Sequence, residues 1–295
     1  MDFRVKSFIV IILGLLAVFP AEARERVPPL DACIDPVLQE GLNECLVTLG
    51  LTHAAQRKSL GVAVVDMTNP TSPRIASVNG DHMMYAASLP KIAILLGAFE
   101  RIAEGRLTLD KEIRDSLTNM IRHSSNQAAT EMLQRVGESY VEKTLQSNRY
   151  RLYDPAKNGG LWVGKGYGKV PAWKRDPLHN LSHGATAFQV ARFYYMLQNG
   201  TLVSPEMSRQ MKLILGKPAI HHKFVKGLEA AHRDARIYRK SGTWRQYHSD
   251  SAIVERGDRR YIAVALAKSP NGEKWLRDII VALDDLISLP YDKPE

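Results

Sequence analysis

Cysteine is scarce in this sequence: the chain of 295 residues has only two, which excludes a disulfide-rich scaffold. It also lacks internal repeats and low-complexity tracts. With 45% hydrophobic and 24% charged residues, the composition is ordinary for a globular protein, which excludes collagen, low-complexity disorder and a coiled coil. The length suits one large domain or two small ones, and a chain of this size buries enough surface to form a core.

Two chemical motifs are missing as well. The sequence contains no C-x-x-C pair, and we expect no zinc site, no other metal and no cofactor. It also contains no G-x-S-x-G, the motif that exposes the nucleophile in another class of serine hydrolases.

Long hydrophobic runs are confined to the N-terminus. The positive residues Arg4 and Lys6 precede an apolar run over residues 8–19, and the small residues Ala21 and Ala23 follow it. This pattern predicts a secretory signal peptide cleaved after Ala23, and hence a periplasmic or secreted protein. A membrane anchor is the alternative, but twelve apolar residues form about 18 Å of helix, short of the roughly 30 Å hydrocarbon core.

The formal net charge is +9, and cleavage of the predicted signal peptide would leave it at +9, because residues 1–23 contain two basic and two acidic side chains. A basic surface can attract nucleic acid or an anionic envelope. Because the basic residues are scattered and export is predicted, we expect a solvated basic face and no nucleic acid partner. Weak attraction to acidic envelope polymers is the alternative. We further expect a monomer that has no stable membrane span after cleavage and that acts on small molecules.

Cys33 and Cys45 both follow the predicted cleavage site. In an oxidising compartment an isolated pair can form a disulfide, which would tie the segment before a helix to that helix. Asp35 fits the N-cap of this helix and Pro36 its first residue. Two free thiols are the alternative.

Strand patterns occur towards both ends of the mature chain, with helical patterns between them. The predicted strands cover residues 60–66, 74–79, 236–244, 249–255 and 260–267, and the main predicted helices cover residues 36–50, 90–105, 187–199 and 273–288. This distribution predicts an α+β fold: an antiparallel five-stranded sheet flanked by helices, plus an all-helical lobe. A cleft between two such lobes is the usual place for a site.

The segment Ser88-Leu-Pro-Lys91 begins a helical pattern. A serine and a lysine three residues apart on a helix share a face, and the lysine can take the serine proton if burial lowers the pKa of its ammonium group. The positive end of the helix dipole would favour a developing alkoxide on Ser88. Alone, this motif occurs by chance in many proteins, where it is more often a capping serine with a solvated lysine.

Two further motifs follow. Ser124-Ser-Asn126 places a hydroxyl and an amide side by side before a helical pattern, although serine clusters also cap helices. Lys240-Ser-Gly-Thr243 lies within a strand pattern, where a lysine beside two hydroxyls makes a carboxylate-binding edge and the glycine marks a close backbone approach. A sheet-edge lysine followed by a bulge glycine is the ordinary alternative.

The order S-x-x-K, S-x-N and K-[ST]-G, with predicted settings at a helix start, in a loop and on a strand, is the signature of class A β-lactamases and penicillin-binding proteins. From about residue 36 to 288 the sequence resembles a class A serine β-lactamase. The resemblance implies a sheet flanked by helices plus a helical lobe, in agreement with the predicted layout. It also implies that the substrate is a β-lactam or a peptidoglycan peptide.

The resemblance divides the chain into a signal peptide, an N-terminal extension with the first helix, and a β-lactamase-like catalytic domain built from a sheet lobe and a helical lobe. The signal peptide covers residues 1–23, and the N-terminal extension with the first helix covers residues 24–50. The catalytic domain covers residues 51–295. Within it, the sheet lobe comprises residues 51–85 and 235–295, and the helical lobe comprises residues 86–234.

The resemblance also implies roles for the motif residues. Ser88 would be the acylated nucleophile and Lys91 its general base or proton carrier. Ser124 would relay a proton to the leaving nitrogen, Lys240 would tune Ser124 electrostatically, and Asn126 would hold the substrate amide.

The strand motif would bind the other end of the substrate. Ser241 and Thr243 would hold its carboxylate, and Gly242 belongs to the same binding edge. The backbone N–H groups of Ser88 and Thr243 would form the oxyanion hole, where one donor is worth roughly 10²–10³ in rate.

The sequence departs from the family pattern around the first two motifs. The interval of 36 residues from Ser88 to Ser124 is shorter than usual, which predicts a more open site. Ser125 also stands where the family usually has aspartate.

The base for deacylation is the second departure. The family activates the deacylating water with a loop glutamate, and the best match here is Asp154. Aspartate is one methylene shorter, so its carboxylate would lie about 1 Å or more from the required position, which costs on the order of 10²-fold. Alternatively, Asp154 only begins an Asp-Pro turn. Residues 159–168 resemble no loop of the family and fit an insertion that covers the site. Trp162, Tyr167 and Trp173 suit either a pocket lining or packing in the core or in a loop.

Three hypotheses follow. The protein is an exported serine hydrolase that opens β-lactams through an acyl-enzyme, with deacylation weak if Asp154 does not serve. Alternatively, it is a penicillin-binding D-Ala-D-Ala carboxypeptidase or a related enzyme that is acylated but releases penicillin slowly. The third possibility is a non-catalytic protein that only binds β-lactams or muropeptides, which the intact S-x-x-K motif argues against.

Overall fold

The structure is a computed structural model that describes residues 27–289. The predicted signal peptide, residues 1–23, lies outside the described residues. Within the described range, no helix has the length and apolar character that a membrane crossing requires.

Helices and strands occur in groups along this part of the chain. The α-helices are α1 (Pro36–Thr48), α2 (Thr52–Gln56), α3 (Lys91–Ala103), α4 (Lys111–Arg122), α5 (Asn126–Val136), α6 (Glu138–Gln146), α7 (Ala187–Gln198), α8 (Pro205–Leu215), α9 (Phe224–Ala231) and α10 (Gly272–Ser288). The strands are β1 (Leu60–Asp66), β2 (Arg74–Val78), β3 (Met84–Tyr85), β4 (Tyr153–Asp154), β5 (Gly159–Gly160), β6 (Trp162–Val163), β7 (His183–Ala185), β8 (Arg236–Trp244), β9 (Tyr247–Arg256) and β10 (Arg259–Lys268).

The main sheet has five antiparallel strands in the order β2-β1-β10-β9-β8. The predicted α+β fold with an antiparallel five-stranded sheet is therefore confirmed, and each predicted strand ends within two residues of the observed one. The pairing of β1 with β10 joins the first two strands of the chain and the last three into one sheet. This arrangement leaves β8, which carries the K-S-G motif, at an edge of the sheet.

Both faces of the sheet are covered, which explains why β1 is buried at every position. Successive side chains of a strand point to opposite faces. Val62 and Val64 belong to the core on the side of α1, α9 and α10, whereas Ala63 and Val65 belong to the core shared with α7 and the helical lobe. Helix α3 runs through the middle of that second core, and its residues from Lys91 to Phe99 are all buried.

Helix α1 begins as predicted. The Asp35 carboxylate accepts a hydrogen bond from the backbone N–H of Leu38 at 2.7 Å, and Pro36 is the first helical residue. A cap of this kind stabilises a helix by about 1 kcal/mol. The same capping arrangement recurs at α4, α5, α7 and α8, where the capping residues are Asp110, Ser125, Thr186 and Ser204.

Two small sheets connect the lobes, and neither was predicted. Strands β3, β7 and β6 pair in the order β3-β7-β6, and β4 pairs with β5. Strands of two or three residues are too short to show an alternating pattern. They fold much of residues 153–185 against the start of α3.

The two cysteines do not form the disulfide considered above, and the free-thiol alternative is the one observed. The Cys33 thiol donates to the Pro29 carbonyl oxygen at 3.4 Å, whereas Cys45 contacts the Ala282 carbonyl oxygen of α10 at 3.7 Å. The side chains face different neighbours because α1 directs Cys45 towards α10, away from the segment that precedes α1.

Candidate active site

Ser88 lies in a tight turn between β3 and α3. The N–H of Leu89 donates to the Ala86 carbonyl at 3.1 Å, and the N–H of Lys91 donates to the Ser88 carbonyl at 3.3 Å. Ala87 has a φ of 51°, a left-handed conformation that costs a residue with a side chain on the order of 1 kcal/mol or more. Helix α3 begins only at Lys91, so Ser88 precedes the helix by one turn. The Ser88 side chain is half-buried and has no hydrogen-bond partner among the described residues.

Lys91 is fully buried and points to the loop between α4 and α5. Its Nζ donates to the Ser124 carbonyl at 2.6 Å and to Asn126 Oδ1 at 2.9 Å, with the Ser124 Oγ at 3.4 Å. Ser124 has a φ of 55°, so the second motif, like the turn at the first, contains a residue in the left-handed region. This loop therefore brings a hydroxyl and an amide to the lysine of the first motif.

Lys240 approaches the same hydroxyl from β8. Its Nζ donates to Ser124 Oγ at 2.9 Å and to the Ser241 carbonyl at 2.7 Å. Because an ammonium group only donates, Ser124 Oγ accepts this hydrogen bond and its own proton is free for another acceptor. The three motifs thus meet at one point: two lysines flank the hydroxyl of Ser124.

Gly242 allows β8 to pass directly beside the Ser88 turn. A Cβ at this position would lie 2.3 Å from the Ala86 carbonyl oxygen and 2.7 Å from the Ser88 nitrogen, closer than any side chain tolerates. The Ser249 hydroxyl also donates to the Ala86 carbonyl at 2.8 Å and fixes the turn against the sheet. The predicted close backbone approach is therefore present, and it is the approach to the residue that carries the candidate nucleophile.

Burial lowers the pKa of both lysines at the centre of the site. The pKa of Lys91 falls from 10.5 to about 7, and desolvation is its cause. The pKa of Lys240 falls well below 10.5, first through burial and then through the positive charge of Lys91. No carboxylate contributes to the pKa of Lys91 among the described residues. A lysine with a pKa near 7 is about half neutral at neutral pH and can accept a proton.

Two further residues support the hydroxyl groups of β8 from behind. Lys223 is fully buried, and its Nζ donates to Thr243 Oγ1 at 2.8 Å, to the Gly242 carbonyl at 2.7 Å and to the Ser249 carbonyl at 3.2 Å. His222 Nε2 lies 3.1 Å from Ser241 Oγ. Burial lowers the pKa of Lys223 to about 8 and that of His222 to about 4, so Lys223 is mostly charged and His222 neutral at pH 7.

A buried ion pair holds this support in place. Arg239 and Asp250 are almost completely buried and form two parallel hydrogen bonds, Nε to Oδ1 at 2.8 Å and Nη2 to Oδ2 at 2.7 Å. Arg239 also donates to the carbonyls of Ile220 and His222, and Asp250 accepts from the N–H of Phe224. The pair thereby fixes the chain before α9, which carries His222 and Lys223.

Aromatic rings line the site on the side away from the sheet. Lys91 Nζ lies 4.5 Å from the centroid of the Tyr167 ring, and this ring stacks against His183 at 4.3 Å. His183 contacts Tyr85, whose ring lies 5.4 Å from that of Tyr247. Tyr167 therefore faces the candidate base.

Asp154 has its partners elsewhere. Its carboxylate accepts a hydrogen bond from the Ala156 N–H at 3.0 Å and pairs with Arg151 at 3.1 Å. It lines a cavity with Phe188 and Arg192 and has no contact with the residues of the three motifs. These contacts are those of an Asp-Pro turn, and the structure does not bring this carboxylate to the site.

A group of possible metal ligands lies away from this site. His232, Asp284 and Asp285 come together at α10. The Asp284 carboxylate is already paired with Arg256 at 2.6 Å and accepts a hydrogen bond from the Tyr261 hydroxyl. Arg256 neutralises the negative charge of Asp284 that would otherwise attract a cation. These contacts attach α10 to the sheet.

The structure thus brings together eight residues that the sequence analysis named, which are Ser88, Lys91, Ser124, Asn126, Lys240, Ser241, Gly242 and Thr243. It adds Lys223, His222, Arg239 and Asp250, which stand outside the three motifs, and it places Tyr167, considered above as a pocket lining, against Lys91. A lysine before a helix and an arginine on a strand give no local signal of burial, so their roles emerge only from the tertiary contacts.

The fold and the two-lysine serine site together define a protein of the serine β-lactamase and penicillin-binding class. Residues 42–116 and 111–287 match the β-lactamase enzyme family. The chain therefore belongs to this family. No curated protein sequence gives a significant match.

Several solved structures share the fold. The structure of PBP-A has a TM-score of 0.64 and 17% identity over 88% of this chain and 98% of that one. A β-lactamase from Sphaerobacter thermophilus has a TM-score of 0.64 and 16% identity over 84% of this chain and 97% of that one. An ancestral class A β-lactamase has a TM-score of 0.62 and 19% identity over 84% and 99% of the two chains.

Proposed function

We propose that this protein is an exported serine hydrolase that opens β-lactams through an acyl-enzyme on Ser88. The observation that carries the proposal is the convergence of Lys91 and Lys240 on the Ser124 hydroxyl, beside the turn that holds Ser88. The cationic character of the site suits the carboxylate that β-lactams carry. Export rests on the signal-peptide pattern that ends at Ala23.

Acylation would use the neutral form of Lys91. Ser88 Oγ attacks the lactam carbonyl and its proton passes to the amine of Lys91, while the N–H groups of Ser88 and Thr243 stabilise the oxyanion. The ring C–N bond then breaks, and the Ser124 hydroxyl protonates the leaving nitrogen. Lys240 favours this step because its ammonium stabilises the negative charge that Ser124 develops. Ser124 regains a proton from Lys91, which returns to its neutral form.

Deacylation is expected to be slow. It needs a base that activates a water molecule beside the ester, and a carboxylate next to Lys91 would serve as that base. Beside Lys91 the structure has the aromatic ring of Tyr167 instead. Asp154 is engaged with Arg151 and Ala156 instead. A mutant of PBP-A, to which this chain is similar, was solved as an acyl-enzyme complex with penicillin G. We therefore expect an acyl-enzyme of Ser88 that survives long enough to be observed.

The missing carboxylate also supports a second candidate, a penicillin-binding D-Ala-D-Ala carboxypeptidase-like enzyme. The same residues would cleave the terminal peptide bond of a peptidoglycan stem peptide, and its terminal carboxylate would occupy the edge of β8. A protein that only binds is disfavoured, because Ser88 is accessible and Lys91 has the pKa of a base.

Intact-protein mass spectrometry after addition of penicillin G tests the proposal. We expect a mass increase equal to the whole β-lactam, located on Ser88, that decays slowly as hydrolysed product forms. The variant Ser88→Ala should form no adduct, whereas the control Ser59→Ala, which loses a hydroxyl bonded to the Ala54 carbonyl, should react normally. A lasting adduct without hydrolysed product, together with release of D-alanine from a stem peptide, would favour the carboxypeptidase. Absence of both adduct and turnover would refute the proposal.

A further inference from the structure

The Tyr167 ring lies beside the Lys91 ammonium. Lys91 Nζ lies 4.5 Å from the ring centroid, and its hydrogen bonds go to Ser124 and Asn126 on the loop before α5. A cation over an aromatic face is attracted by the ring quadrupole, and the attraction strengthens when water is excluded. The lysine is therefore held between polar acceptors on one element and an aromatic face on another.

The chain around Tyr167 is fixed on two sides. Thr130 of α5 accepts a hydrogen bond from the Tyr167 N–H at 2.8 Å and donates one to the Tyr167 carbonyl at 3.0 Å. On the other side the ring stacks on His183, and His183 Nε2 lies 3.0 Å from the Lys165 carbonyl. Burial lowers the pKa of His183 to about 4, so the stacked imidazole is neutral at pH 7. The ring is thus anchored by two separate elements, α5 and β7.

The groups that face Lys91 contain no negative charge among the described residues. From β8 the nearest ionisable group is Lys240, which shares Ser124 Oγ with Lys91. From β7 it is His183, which is neutral, and from residues 159–182 it is Tyr167 itself. Tyr85 of β3 lies behind the ring. Exclusion of water is consequently the main influence on the ionisation of Lys91.

We propose, on the basis of the function proposed above, that Tyr167 is a positioning residue for Lys91: its ring holds the side chain against Ser124 and Asn126 and keeps water away from the amine. The Tyr167 hydroxyl is buried and has no hydrogen-bond partner among the described residues. The ring, rather than the hydroxyl, therefore performs this role. The competing interpretation is that Tyr167 only packs residues 159–182 onto α5.

The expected consequence is a shift in the titration of Lys91. With a pKa of about 7, half of the lysine is neutral at pH 7. If the ring is removed and water enters, hydration of the ammonium outweighs the lost attraction of the ring for the cation, because desolvation is what lowers the pKa of Lys91. We expect the pKa to rise by about 1–2 towards its ordinary value of 10.5, which reduces the neutral fraction at pH 7 by roughly 5- to 50-fold. Acylation should slow by the same factor at pH 7 and recover at higher pH.

The experiment compares Tyr167→Ala and Tyr167→Phe with the wild-type protein. The titration of Lys91 is followed by NMR on 13C-labelled lysine, with its signal assigned from its loss in Lys91→Arg. Tyr140→Ala is the matched control, because the Tyr140 ring also covers a cation, Arg101 at 3.6 Å, but outside the site. Thr130→Val provides a second route: it keeps the ring and removes both hydrogen bonds that fix it.

We expect a raised Lys91 pKa in Tyr167→Ala, a smaller rise in Thr130→Val, and no change in Tyr167→Phe or Tyr140→Ala. The pH profile of acylation by penicillin G should move with the NMR midpoint. An unchanged midpoint in Tyr167→Ala, or in Thr130→Val if the first variant does not fold, overturns the inference, as does a shift in Tyr167→Phe. If the wild-type protein is not acylated, the proposed function fails, but the NMR titration still decides the role of Tyr167.

Discussion

Substitution of Lys223 by methionine tests how the site recognises a carboxylate. Lys223 Nζ gives its three protons to Thr243 Oγ1 and to the carbonyls of Gly242 and Ser249. Because a lysine only donates, Thr243 Oγ1 must accept, and the hydroxyl proton of Thr243 is left to point outwards to a substrate. Lys223→Met removes this orientation together with a buried positive charge, while a side chain of similar length fills the space.

The size of the effect follows from the type of hydrogen bond. A hydrogen bond to a charged group contributes about 1.5–3 kcal/mol, which corresponds to roughly 10- to 150-fold in affinity. The carboxylate does not react, so the loss should be equal in the ground state and the transition state. We therefore expect a higher dissociation constant for penicillin G and an unchanged maximal rate of acylation.

Stopped-flow acylation over a range of penicillin concentrations separates these two constants. The methyl ester of the same penicillin lacks the negative charge and should react equally with Lys223→Met and with the wild-type protein. The control Lys226→Met removes one exposed charge on the next turn of the chain and should leave both constants unchanged. An equal loss with the acid and the ester would refute the reasoning, because Lys223 would then act on the structure of the site rather than on the carboxylate.

Three further predictions concern the surroundings of the same site. Gly242→Ala places a Cβ 2.3 Å from the Ala86 carbonyl oxygen, and we expect acylation to fall by about 10²–10³-fold, measured with a fluorescent penicillin in a variant whose melting temperature is checked. Asp250→Asn leaves the buried Arg239 without its charge partner and should lower the free energy of unfolding by about 3–5 kcal/mol in urea titrations; a loss below about 1 kcal/mol would contradict a structural role for the pair. Asp154→Asn should leave the lifetime of the acyl-enzyme unchanged, and a longer lifetime would return Asp154 to the mechanism.

The main sheet could be predicted because each of its strands has a signal of its own. Residues 60–66 are apolar almost without interruption, as expected of a strand buried on both faces, and the last strand of the sheet carries a similar run. Their pairing was inferred from the positions of the strands in the chain. The small sheets could not be predicted, because strands such as β6 and β7, which pair Trp162 with Gly184 and Val163 with His183, are only two or three residues long.

The candidate site was predictable to the extent that its residues stand in short motifs. Ser88 and Lys91 lie three residues apart, and the K-S-G motif is contiguous, so both could be read from the sequence. Lys223 lies 17 residues before Lys240 and reaches β8 only because the Arg239–Asp250 pair fixes the intervening chain. The failed expectation for Asp154 has the same origin: an Asp-Pro pair has a sequence context like that of a loop carboxylate, but its direction is set by Arg151.

The buried positive charges of the site explain why the proton-accepting role of Lys91 depends on the exclusion of water from it. Lys91, Lys240 and Lys223 are buried, and the carboxylate of Asp250 is committed to Arg239. A lysine whose folded pKa lies below its unfolded value binds fewer protons in the folded state, so folding is less favourable below that pKa and gains stability as the pH rises towards 10.5. The protein therefore tolerates an unfavourable burial in order to keep an amine that can accept a proton near pH 7. Since no carboxylate among the described residues shares this task, any change that admits water to Lys91 raises its pKa, lowers the fraction of neutral amine near pH 7 and relieves the cost of burial at once.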